Sequence, residues 1–257
     1  MADVVEKRPA VGSAPRDRPI YGGRFAIVQL LVMLAFAGLL GASAYLLSRN
    51  TGEAWSSYKP QGHETFGRAQ NMANYVAPRY VSNGVPIAVV QAQQFVFGQA
   101  QVDGIAFARV PAQGVGSPFA QFEPAGKAML YVFCGPAAKC GLTGPAGDDV
   151  VTLLRRESLE LALYTFKYWP DIDSVVVLLP PEPNGKPALL LRRRKLTDQL
   201  SKPLAETLPT RDVVTTSSMT DAERLTIQRL TESSLFGASF EQTPNGHTLL
   251  VLQRDTK

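Results

Sequence analysis

Hydrophobic and polar positions alternate in three different rhythms along this chain. The first is no rhythm at all. Residues 25–47 read "FAIVQLLVMLAFAGLLGASAYLL", 23 positions without a charge, with Gln29 and Ser43 the most polar side chains. A helix rising about 1.5 Å per residue crosses a roughly 30 Å hydrocarbon core in about 20 residues. A lone span must satisfy its backbone hydrogen bonds internally, so the segment predicts one transmembrane helix. From residue 63 to 76 the rhythm is helical, with Phe66, Ala69, Met72, Ala73 and Val76 on one face, ended before Pro78. A β-rich stretch follows. Strands are expected over 85–92 ("VPIAVVQA"), 94–100, 104–110 and 127–133 ("KAMLYVF"), with a long Gly- and Pro-rich loop over 111–126.

The second half changes rhythm again. Residues 150–169 carry a wide apolar face of Val150, Val151, Leu154, Leu161, Ala162 and Phe166, with Asp148 and Asp149 placed to cap it and Pro170 to stop it. "DSVVVLL" (173–179) is a near-continuous apolar run, the mark of a strand buried on both faces. "ALLLRRR" (188–194) is its expected antiparallel partner across a turn-rich link. A short helix over 197–208 is cut by Pro203, and a longer one over 221–236 is capped by Thr220 with Glu223 as in a capping box. Residues 237–242 and 247–253 form a hairpin, where Asn245-Gly246 supplies a tight turn.

Together these elements predict an α+β protein: a single N-terminal transmembrane helix followed by an extracytoplasmic mixed α+β domain. The expected divisions are a disordered cytoplasmic tail at 1–24, the span at 25–47, and a juxtamembrane linker at 48–62. A β-rich half (63–145) and an α+β half (146–257) complete the chain, as two lobes or one continuous sheet. A cleaved secretory signal is the competing view of 25–47, since "ASA" (42–44) resembles a cleavage site. The apolar run exceeds the usual core of about 7–15 residues, which favours a retained anchor.

Charge sets the orientation. Lys7, Arg8, Arg16, Arg18 and Arg24 precede the span, whereas Arg49 and Lys59 alone follow closely. Excess Lys and Arg stay in the cytoplasm, so the N-terminus is expected inside and the domain outside, with Trp55 and Tyr58 near the outer interface. The net charge of +4 belongs mostly to the leader. Residues 1–49 hold six basic and three acidic side chains, which leaves 20 and 19 beyond them. A near-neutral outer domain without a basic stripe excludes a nucleic-acid partner.

Candidate chemistry is sparse. The only cysteines, Cys134 and Cys140, are spaced C-x5-C, and the only histidines are His63 and His247. A closed zinc site needs about four ligands, and a thioredoxin-like pair needs C-x-x-C, so neither a metal nor a cofactor is expected. Outside the cytoplasm the pair reads as a disulfide closing a small loop. No G-x-S-x-G elbow occurs, and Ser201-Lys202 lack S-x-x-K spacing. Asp148/Asp149 and Asp171/Asp173 are the available carboxylate pairs, and each also suits a capping or turn role. The run Arg192, Arg193, Arg194 and Lys195 is either a solvated strand end or a contact for an anion or partner, with Arg155 and Arg156 as helpers. In the span, Ala37, Gly38, Gly41 and Ala42 place small residues where another helix could pack closely.

"RESLELALYTFKYWPDIDSVVVLL" (156–179) resembles the helix–loop–strand segment of GerMN-type extracytoplasmic domains, with Thr165, Ile172 and Val175 at the matching positions. The resemblance covers about two dozen residues and implies an extracytoplasmic α+β domain. It transfers no functional residue. The reading that results is a membrane-anchored, non-catalytic binding, scaffold or accessory subunit of a cell-envelope complex, with a protein partner. Its alternative is an envelope hydrolase using outer-domain carboxylates, Asp171 or Asp173 first.

Overall fold

The computed structural model describes residues 27–35, 54–62, 64–93, 95–97, 100–108, 119–134, 147–180 and 187–254. The chain divides into two units, residues 1–52 and 53–257. In the first, residues 27–35 are helical (α1), and their large apolar side chains, from Ile27 to Leu34, lie 50–73% exposed. Among the described residues no helix is long and apolar enough to cross a membrane. Nine residues rise only about 14 Å, and Ala37, Gly38, Gly41 and Ala42 fall outside the described part.

The second unit is mixed α+β around one nine-stranded sheet. Its elements are α2 (Thr65–Val76), β1 (Val81–Ser82), β2 (Val85–Pro86), β3 (Val90–Gln93), β4 (Val96–Phe97), β5 (Ala100–Ala108), β6 (Phe119–Pro124) and β7 (Ala128–Phe133). There follow α3 (Asp148–Tyr168), β8 (Ser174–Leu178), β9 (Pro187–Arg192), α4 (Thr197–Leu200), α5 (Leu204–Thr207), α6 (Asp221–Thr231), β10 (Leu235–Gln242) and β11 (Thr248–Gln253). The sheet order is β3-β7-β8-β9-β10-β11-β5-β4, with β6 also on β5. Thus the β-rich half and the α+β half share one sheet. They join through the parallel β7–β8 pair at one side and the parallel β11–β5 pair at the other. Long parallel connections of this kind leave no mark in local sequence.

Strand parity sorts the core. The odd residues Met129, Tyr131, Val175, Val177, Leu189 and Leu191 pack beneath α2 and α3. The even residues Leu130, Val176, Leu178, Leu190, Leu250 and Leu252 form a second core with Val102 and Ile105 of β5. No described helix covers that second face; the sheet covers it by curling. β6 returns to the other side, where Glu123 accepts from Arg192 of β9 at 2.5 Å and from Ser174 of β8 at 3.2 Å. Curling needs a close approach at Gly104, where a Cβ would fall 2.3 Å from the Phe122 ring and 2.7 Å from the Glu123 carbonyl. Any other residue there would push β6 away. At the opposite edge, Gln70 of α2 protects β3. Its amide donates to the Val90 carbonyl (3.1 Å) and accepts from the Ala92 amide (2.9 Å), as a neighbouring strand would.

Several expectations are corrected. Residues 119–124, expected in a loop, form β6, because pairing with β5 rather than local pattern orders them. The strand expected over 85–92 is broken. Val85 and Pro86 instead close a hairpin on Val81 and Ser82 through Asn83 and Gly84, both at positive φ (51° and 79°). "SNGV" was the legible signal for that turn. The strands expected over 94–100 and 104–110 redistribute into short β4 and long β5. The helix expected to reach Phe236 stops at Thr231, and Leu235 and Phe236 enter β10. Asp148 and Asp149 lie in the first turn of α3, whose N-cap is Gly147 without a side-chain cap. They suit the helix dipole but do not cap.

The expected linker also differs from Ala54 onward. Trp55 packs edge-on to Tyr164 (5.5 Å) and Tyr168 (6.2 Å), and Tyr58 stacks on Tyr75 at 3.8 Å. The Trp55 carbonyl accepts from Leu204, and the Tyr58 carbonyl from the Tyr168 hydroxyl. These rings pack against the domain's own aromatic cluster.

Candidate functional site

The Arg192–Lys195 run does not act as one patch, because the chain turns sharply after β9. Arg192 leaves the strand beside Glu123, with its guanidinium 5.0 Å over the Phe107 ring, and its Nε is buried without a hydrogen-bond partner. Arg193 turns back onto the C-terminus of α3. It donates to the carbonyls of Phe166 (2.5 Å), Trp169 and Ile172 (2.9 Å) and stacks over Phe166. A cation serving orphan carbonyls at a helix C-terminus is a structural role. Burial lowers its pKa, and nearby Asp173 and Asp171 work against that. Arg194 is exposed and has no ion-pair partner among the described residues. Lys195 is exposed and reaches Ser233 at 3.2 Å.

Arg192, Arg193 and Arg194 nonetheless share one cavity of about 520 Å³. It opens where β6 meets the ends of β7, β8 and β9, and Glu123, Lys127, Asp173, Ser174 and Thr197 complete its polar wall. Lys127 and Asp173 pair loosely across its rim, 3.6 Å apart and both exposed. Such a pair contributes about 0–1 kcal/mol, and a competing ligand can break it. A second cavity of about 460 Å³ lies against the start of β7, lined largely by Phe66, Phe95, Val102, Met129, Trp169 and Ile172. Asp171 belongs to this second cavity and Asp173 to the first, so the two carboxylates singled out in the sequence do not converge.

Arg155 and Arg156 are not neighbours of this site. Arg155 donates to Thr231 Oγ1 (2.7 Å) and the Gln228 carbonyl. Arg156 is 1% exposed at the centre of a buried network that the sequence reading missed. Its Nε donates to Glu223 at 2.6 Å, one terminal nitrogen to the Tyr80 hydroxyl at 2.5 Å and the other to the Pro209 carbonyl at 2.8 Å. The Tyr80 hydroxyl donates in turn to Glu160 at 2.5 Å, and Arg79 closes on the other Glu160 oxygen. Arg211 joins Glu223 from the surface at 2.9 Å. The network ties α3 and α6 to Arg79 and Tyr80, in the turn that follows α2, and to the 209–211 link. Its trace in the sequence is four charges, Arg155, Arg156, Glu157 and Glu160, set within the apolar period of α3.

Two carboxylates there titrate in opposite directions. Burial alone would raise the Glu223 pKa, but hydrogen bonds from Arg211 and Arg156 overcome it and hold the carboxyl below its ordinary value. Glu157 is 0% exposed and neither carboxyl oxygen has a partner. Burial, reinforced by Glu160 and only partly offset by Arg79, pushes its pKa well above the ordinary value.

No family model, curated protein or solved structure matches this chain.

The function therefore rests on the geometry. His247 sits at the surface with its Nδ1 3.1 Å from Asp103 and lines neither of the two cavities. Among the described residues no group of three or more His, Cys, Asp or Glu could hold a metal ion. His63 lies outside them.

Cys134 ends β7 at φ 58° and is disulfide-bonded, with its amide donating to Val89. Cys140, the chain's other cysteine, lies outside the described residues. The bond between the two is expected to close a loop of about seven residues and to stabilise by roughly 2–2.5 kcal/mol. Intact mass of protein purified without reductant should read two hydrogens below the reduced value. Full labelling of both thiols without prior reduction would exclude the bridge.

Proposed function

We propose that the chain is a single-pass, N-in membrane protein that presents an extracytoplasmic, non-catalytic binding or scaffold domain as an accessory subunit of a cell-envelope complex. The carrying observation is the 23-residue uncharged run at 25–47, of which residues 27–35 are helical with their large apolar side chains exposed. A contiguous apolar surface on a helix asks for lipid or a second helix. Two further observations agree with a binding role. The two cavities are open to the surface, and the ordered charge network is buried as a structural tie rather than aimed at a cavity large enough for a substrate. The hydrolase alternative draws on Glu123 and Asp173, which share the polar cavity, but each is paired with a cation.

The anchor is expected to keep the full chain in the membrane pellet after alkaline carbonate. Protease added from outside the cytoplasm should remove the domain while sparing the first 24 residues. Release by carbonate, or protection of the domain, would overturn the topology. For the partner, full-length protein in mild detergent should lose co-purifying subunits when Gly41→Leu fills the small-residue face. Unchanged co-purification would remove residues 37–42 from the interface.

A further inference from the structure

The two cavities share a wall. Ala128, the first residue of β7, lines both, and the short turn 125–127 lies between their mouths. Ala128 is paired with Ser174, and Ser174 with Arg192, so Arg192 stands two strand spacings from the shared wall. At 4.7–4.9 Å per strand that is about 10 Å. On one side of Ala128 are Lys127, Arg192 and Arg194, against two carboxylates that are both already paired. On the other side are Phe66, Phe95, Met129, Trp169 and Ile172, with Gln101 and Asp171 on the same lining. Each cavity falls in the usual range for small-molecule sites, about 300–1,000 Å³.

We propose that the two cavities form one site for an amphiphile, a single acyl chain ending in an oxyanion, with the chain beside Trp169 and the head between Arg192 and Arg194. Arg194 brings a cation with no ion-pair partner among the described residues. Arg192, held by its ion pair with Glu123, forms the opposite wall. Loss of the weak Lys127–Asp173 pair frees a third cation at the rim. A carboxylate head would come from a free fatty acid and a phosphate head from a lipid. The chemistry that the site reads is common to both. The proposal stands independently of the anchor, since every residue it uses belongs to residues 53–257.

The test uses the full chain held in amphipol, with Trp55→Phe leaving Trp169 as the sole tryptophan. Trp55 tolerates the change because its Nε1 is buried and unpaired. Dodecyl phosphate, dodecanoate, dodecanol and inorganic phosphate are titrated while Trp169 emission is read. Each buried methylene is worth about fourfold in affinity, so three already give roughly 50-fold. At least one of the two amphiphilic anions should therefore saturate at a concentration at least ~50-fold below that of inorganic phosphate and ~10-fold below that of dodecanol. Whichever anion binds tighter identifies the head. Arg194→Gln should weaken that anion about tenfold and leave dodecanol unchanged. Gly126→Phe should weaken dodecanol and the anions together; its Cβ meets nothing within 4 Å, so the fold accepts it. Equal binding of inorganic phosphate would overturn the proposal in favour of a head-only site. Equal binding of dodecanol, or an unsaturable response indifferent to both variants, would also overturn it.

Discussion

Arg156→Met is expected to lower the stability of the folded domain by about 3–5 kcal/mol, which for a domain of this size is a Tm loss of roughly 6–20 °C. The methionine fills much of the same volume, so the loss comes from charge. Removing Arg156 leaves Glu223 and Glu160 buried with one cation fewer, and the Tyr80 hydroxyl and the Pro209 carbonyl without a donor. A buried pair contributes little on balance, because desolvation offsets attraction, but breaking one from a single side is costly. This predicts a specific rescue. Adding Glu223→Gln to Arg156→Met should recover part of the loss, because it removes the stranded negative charge. Two residues in one network do not add independently. Thermal unfolding followed by circular dichroism decides the matter. A Tm loss below about 3 °C for the single variant, or strictly additive losses for the double, would mean that the network contributes nothing as a unit.

Glu157→Gln should act in the opposite direction and stabilise the protein at neutral pH. The folded carboxyl has its pKa raised well above the ordinary value, so the native state holds a proton that the unfolded chain releases above about pH 4.5. Stability contributed by such a group is fully present below that pH and falls as pH rises toward the folded value. Above pH 4.5 the cost of holding that proton grows by about 1.36 kcal/mol per pH unit until the folded value is reached. Glutamine has the same shape and needs no proton. The variant is expected to gain roughly 5–10 °C in Tm at pH 7–8, and the gain should vanish near pH 4. A gain of equal size at both pH values would show that the effect is packing rather than protonation. Glu223, held below its ordinary pKa, gives the reverse slope, with stability lost as pH falls. The two carboxylates, both on helices that Arg156 binds together, therefore act in adjacent windows, Glu223 as pH falls below about 4.5 and Glu157 as it rises above that value.

The locally encoded elements were legible. Met72 and Val76 kept the α2 face, the "DSVVVLL" run marked a strand buried on both sides, and Asn245-Gly246 placed the last turn, because each depends on residues within a few positions. The misses share one cause. β6 is a strand only because β5 lies beside it, and Gly104 looked like punctuation until Phe122 came to rest against it. Arg192, Arg193 and Arg194 are adjacent in sequence, yet one pairs with Glu123, one closes α3 and one has no ion-pair partner among the described residues, since a turn after β9 sends them apart. Arg156 looked like a surface cation because sequence shows charge but not burial.

By itself the sequence determined the uncharged run at 25–47, the class of the domain and most helix and strand positions, all matters of composition and short-range period. Tertiary structure alone decided that one sheet joins both halves, which charges are buried, and that Ala128 stands between a cationic and an apolar cavity. These depend on contacts between residues tens to more than a hundred positions apart, and chain-local chemistry holds no record of such pairings.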